Sequence, residues 1–113
     1  MVLTPSPSTL KKYGLSEQEW KALLDAQGGV CAVCKQEPKK GRLCIDHFHV
    51  KLWKKLPPEQ RKQWVRGLLC WRCNTTFVGR GVTVERSKAV TVYLETFEAR
   101  RPPEPVTTKR KPR

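Results

Sequence analysis

Apolar residues fall in short, separated groups along this chain, and most groups carry a readable period. Trp20, Leu23 and Leu24 stand at i, i+3 and i+4, one face of a helix. Ser16 and Glu19 precede them as a capping box, in which the serine and the glutamate three later satisfy the first free amides. Gly28-Gly29 closes that helix, because glycine accepts the left-handed conformation of a C-terminal cap. Leu43-Cys44-Ile45 is a short run of strand character, and Val65-Arg66-Gly67-Leu68-Leu69 can return beside it as a second strand. Pro57-Pro58-Glu59 starts a short helix, since proline fits a first helical turn. Val90, Tyr93, Leu94 and Phe97, at i, i+3, i+4 and i+7, predict a further amphipathic helix within Thr83–Arg100. Residues 1–9 show no period and read as a flexible leader. The expected domain is a single small α+β unit over 10–99, with a helix at each end.

Composition sharpens this picture. With 113 residues, 38% of them apolar, and nine prolines, hydrophobic burial alone makes a small core. No apolar run approaches the ~18 residues of a membrane span. The Met1–Lys12 stretch lacks the apolar segment of a secretory signal. The chain is therefore expected in the cytoplasm, away from membranes, with its thiols reduced. Its net charge of +13 points to the phosphate backbone of nucleic acid. That charge is unevenly spread. Lys35–Arg66 holds ten Lys/Arg against three acids, and residues 100–113 carry +5 in a proline-rich stretch expected to be a disordered tail.

Two C-x-x-C pairs, Cys31/Cys34 and Cys70/Cys73, lie 35 residues apart. This spacing lets four thiolates converge on one tetrahedral Zn²⁺, a closed structural site with no open position for substrate. A thioredoxin-like redox pair needs a βαβ context that is missing, and two disulfides do not suit a reducing compartment. Cys44 is left over, and its apolar setting suits a small buried side chain.

Both histidines occur in Asp46-His47-Phe48-His49. On a strand, His47 and His49 share a face and Asp46 takes the other. A bulge breaks that alternation and can bring Asp46 and His47 to one site. Asn74 directly follows the last cysteine, so zinc would tie it to the same unit. Together these residues suit phosphodiester hydrolysis. Asp46 and the Asn74 carbonyl offer oxygen ligands for Mg²⁺ or Mn²⁺, and a neutral His47 can take a proton from water. His49 can contact the scissile phosphate or leaving group. Arg66 and Arg72 lie nearest in sequence as phosphate contacts, with Lys51 and Lys54 in the same basic stretch. Trp53 and Trp64 pack the 50–64 segment onto the core or stack on DNA. Without catalysis, the same charge and cysteines describe a zinc-stapled DNA- or RNA-binding module.

Tyr13-Gly14-Leu15, Gln27 through Cys34, Asp46 through His49 and Val65 through Asn74 together resemble the recombination endonuclease VII family of phage-type nucleases. That family belongs to the wider His-Me finger (HNH, ββα-metal) nucleases. The resemblance runs from about Lys12 to Gly79 and extends more loosely through Ala89 and Glu95. It implies a zinc-stapled ββα-metal fold, with Asp46 and Asn74 on a catalytic divalent cation and His47 as general base. It also implies DNA, duplex or branched, as substrate, Holliday-junction resolution among the possible activities, and the host cytoplasm as location. The sequence departs from the family in three ways. Phe48 replaces the usual acidic residue, Val50–Trp64 is an insertion, and only 39 residues follow Asn74. These differences leave monomer and homodimer both open.

Overall fold

In the computed structural model, residues 2–79 and 81–103 are described, so most of the proposed tail lies outside them. The chain divides into two units, Met1–Gly81 and Val82–Arg113.

The first unit begins with helix α1, Pro7–Tyr13, which starts inside the stretch read as a flexible leader. Ser6 accepts from the Thr9 amide and proline occupies the first turn, so a local cap does what apolar periodicity did not announce. Leu3 also donates its amide to the Gly41 carbonyl. Gly14 ends α1 at φ 71. A Cβ there would strike the Pro58 carbonyl, so this position demands glycine for conformation and for space.

Helix α2, Glu17–Ala26, carries the expected capping box in full: Glu19 bonds the Ser16 amide, and Ser16 bonds the Glu19 amide. Gly28 and Gly29 follow at φ 70 and 76. Gln27 then stitches helix to sheet. Its amide nitrogen donates to the carbonyls of Val30 and Leu68, and its oxygen accepts from the Leu68 amide.

Strand β1, Cys44–His47, pairs antiparallel with β2, Val65–Leu69. Between them the chain makes a 3₁₀ turn at Trp53–Lys55, helix α3 at Pro58–Arg61, and another 3₁₀ turn at Lys62–Trp64. After β2 a π-helical segment, Cys73–Val78, carries the last cysteine. The core gathers Leu10, Trp20, Leu43, Ile45, Leu68 and Leu69 around the buried Cys31 and Cys73. Fully burying one such leucine is worth ~1.5–3 kcal/mol. So few large side chains leave a marginal core.

The second unit contains α4, Val84–Glu98, capped by Thr83 on the Arg86 amide. The helix forms where its periodicity predicts, yet none of its described residues is buried. Tyr93 is 76% exposed.

Candidate functional site

The hairpin places one candidate centre near each of its ends. Near Cys44 and Leu69 lie the four paired cysteines. Their sulfurs all fall within 4.8 Å of one another, and Cys34 Sγ stands 3.8 Å from Cys70 Sγ. A tetrahedron built on Zn–S bonds of ~2.3 Å has edges of ~3.8 Å. A disulfide needs ~2.05 Å, and all five cysteines are free thiols. Amides of Val33 and Cys73 point at the sulfurs of Cys31 and Cys70, both at 3.4 Å.

The electrostatics agree with this geometry. Burial pushes the Cys31 thiol up, but the backbone amides of Cys70, Cys34 and Val33 outweigh it and bring it down to about 6. Cys73 is driven up to about 12, by burial first and then by its thiol neighbours. Four close cysteines of this kind can hold a zinc ion.

Near the other end, the pairing slips. Asp46 faces Gly67, while His47 faces Val65, which leaves Arg66 as the extra residue of a β-bulge. A bulge re-aims a side chain. Here the Arg66 guanidinium meets the buried Asp46 carboxylate through two bonds, Nε to Oδ2 at 2.8 Å and Nη2 to Oδ1 at 3.0 Å. Arg66, expected as a phosphate contact, is thus engaged with the residue expected to bind the cation.

His47 lies in an aromatic stack, 4.3 Å from the Trp53 ring and 4.7 Å from that of His49, with Tyr13 at 5.5 Å. The shared face expected of the two histidines is therefore present. Burial lowers the His47 pKa below its usual 6.5, and His49 lowers it further, while Asp46 pulls the other way. Trp53 is buried and packs the 50–64 segment onto His47 and Tyr13, while half-buried Trp64 stacks on the exposed Phe48.

Asn74 donates its backbone amide to the Cys70 carbonyl; burial raises the Cys44 thiol pKa, and the Asn74 side chain counters part of that rise. Cys44 is half-buried, less enclosed than its apolar neighbours suggested. Arg72, Lys51 and Lys54 are all exposed. Lys54 joins Lys12, Lys55, His47 and His49 in lining an open cleft of about 470 Å³.

Three residues outside the sequence-derived set shape this end. Tyr13 closes the histidine stack, and Lys12 adds a cation to the cleft. Arg61 donates to the carbonyls of Leu56, Lys12 and Lys54 at 2.8, 3.0 and 2.7 Å, and lies over the Trp53 ring. Lys12 and Tyr13 stand at the start of the motif stretch, a usable signal. Nothing local marks Arg61.

Comparison with known proteins adds independent findings. The family model described as recombination endonuclease VII matches residues 7–96. Two relatives, both called Gene 59 protein and belonging to Mycobacterium phages D29 and L5, are 35% identical over 71 residues, 62% of this chain. The chain spans little more than a third of these curated relatives, 36% and 37% of their lengths. No solved structure matches it. Among the described residues, no helix is long and apolar enough to cross a membrane.

Proposed function

The chain belongs to the recombination endonuclease VII family, and from that premise we propose that it is a metal-dependent DNA endonuclease of the HNH, ββα-metal type, with His47 as general base. The observation that carries this reading is the His47 imidazole itself. It is half-buried, held among rings, biased towards its neutral form, and opens onto a cleft lined by lysines. A neutral imidazole beside bound phosphate is what proton removal from water requires near pH 7.

Asp46 and Asn74 supply oxygen donors of the hard type that Mg²⁺ or Mn²⁺ takes. The donors suit such an ion in kind, provided Asp46 exchanges its Arg66 partner. A cation held there would neutralise charge on the phosphate and on the leaving 3′-oxygen. His47 accepts the proton of the attacking water. His49, stacked on it, meets the scissile phosphate or leaving group. Arg66, once released, joins Arg72, Lys51 and Lys54 in holding the DNA backbone. A zinc on Cys31, Cys34, Cys70 and Cys73 would be structural and would hold the turn that carries Asn74.

The test is nicking of supercoiled plasmid with Mg²⁺ or Mn²⁺, the protein against His47→Ala. The variant should lose a factor of ~10²–10⁴ in rate while keeping DNA affinity and zinc content. Absence of nicking by the unsubstituted protein, on plasmid, linear and branched DNA alike, would leave a noncatalytic zinc-stapled binder. Resolving a Holliday junction takes paired cuts and hence a symmetric pair of chains. Gel filtration, with cleavage of a four-way junction against matched linear duplex, separates nicking from resolution.

A further inference from the structure

Leu52 is used neither by the cysteine cluster nor by the His47 centre. It is 63% exposed and sits in the left-handed region, at φ 64 and ψ 25. That conformation costs a residue with a Cβ ~1–2 kcal/mol and is more readily taken by glycine or asparagine. An isolated exposed leucine is ordinary, but this one is not isolated from the site. It lines the same cleft as His47, His49, Lys12, Lys54 and Lys55, and Lys51 precedes it, exposed.

The segment beneath it is firmly anchored. Trp53, the next residue, is buried against His47 and Tyr13. Arg61 bonds the carbonyls of Lys54 and Leu56 just beyond, and ties both to Lys12 on α1. The result is an apolar tip, surrounded by cations, on a braced base beside the candidate imidazole. Apolar wedges on DNA-binding surfaces act by entering the base stack while neighbouring cations hold phosphates.

We propose that Leu52 is an unstacking wedge: it enters the base stack of a DNA duplex next to the phosphate offered to His47, with Lys51, Lys54 and Lys55 on the flanking phosphates. This rests on the reading of the His47 centre as one that acts on DNA. The wedge opens the helix locally, so the backbone can bend towards the cleft. Unstacking costs a few kcal/mol per step, and less where a base is mismatched.

The experiment uses a short duplex carrying 2-aminopurine, whose fluorescence rises on unstacking, in buffer without added Mg²⁺ or Mn²⁺. Anisotropy of an end label follows binding separately. The unsubstituted protein should raise 2-aminopurine fluorescence several-fold at saturation. Leu52→Asn, which suits the left-handed backbone and removes the apolar tip, should abolish the rise and weaken binding by no more than ~10-fold, or ~1.4 kcal/mol. Its melting temperature should not fall. Leu52→Met should keep the rise, and a mismatch beside the 2-aminopurine should recover most of the affinity that Leu52→Asn loses. Binding by the unsubstituted protein with no rise, or an equal rise with Leu52→Asn, overturns the wedge and leaves the DNA reading intact. No binding by either protein overturns both.

Discussion

At the Cys44–Leu69 end of the hairpin, order comes from sulfur, buried leucines and the amide of Gln27. At the His47–Val65 end it comes from stacked rings and two arginines, Arg61 and Arg66. The first arrangement uses groups whose partners are fixed by the fold and have no reason to move. The second uses cations, and rings that border an open cleft, whose partners the proposed reaction would exchange for phosphate, water or a metal. A fixed end and an exchangeable end on one strand pair would serve the proposed nuclease. The backbone is held at one end, and the proposed chemistry falls at the other.

The largest effect should come from the rigid end. Removing zinc, by chelation or by Cys73→Ser, should unfold the first unit, because structural zinc supplies ~10–16 kcal/mol of apparent binding energy in small zinc domains. Far-ultraviolet circular dichroism together with zinc stoichiometry checks this. A variant that stays folded without zinc would shift the burden back to the leucines.

Next comes the Arg66–Asp46 pair. Breaking a fully buried pair costs ~3–5 kcal/mol, and with Arg66 41% exposed Arg66→Met should cost ~2–3 kcal/mol. Urea unfolding measures it. Arg66→Met with Asp46→Asn should cost less than either cost summed, since no lone carboxylate then remains buried. Additive costs would mean that the pair is not coupled.

A smaller, local loss should follow Arg61→Ala. Three carbonyls lose a charged donor, each worth ~1–3 kcal/mol where buried, and here two of the three bonds are exposed. Amide exchange should accelerate over residues 50–64 while the β2 amides keep their protection. Equal acceleration in both would show that the two ends open as one.

The smallest effect is acidic. The Ser16 amide and then Lys62 hold the Glu19 carboxyl below its usual 4.5. A depressed folded-state pKa gives stability that is present above about 4.5 and fades as pH falls through the folded value. The melting difference between the protein and Glu19→Gln, taken at matched pH, should therefore shrink as pH falls below about 4.5. A constant difference would assign the cap to its geometry alone.

What the sequence made legible follows the range of the interactions. The Ser16 box, the proline start of α3, both strands and the Thr83-capped helix rest on neighbours a few residues apart. The cysteine cluster was equally clear, because its spacing is itself the signal. Arg66 on Asp46 was not, since it depends on a one-residue slip between strands 20 positions apart in sequence. The brace formed by Arg61 spans 49 positions to Lys12 and has no local mark. Residues 7–9 were missed for the opposite reason. Their helix is short and depends on the Ser6 cap and on Gly14, whose left-handed φ is local while the Pro58 carbonyl that crowds it is not.

The slip at Arg66 also gives the hairpin a counting rule. Loop closure depends only weakly on length, so a change of length within the 50–64 excursion that spares the Trp53 and Arg61 anchors should cost β1 and β2 little. One residue added or removed between Val65 and Gly67 is another matter, because side-chain direction alternates with a period of two. Deletion there would close the strands flush and take away the guanidinium that neutralises Asp46. Among relatives, the excursion should vary in length while the phase at which the chain re-enters β2 stays constant.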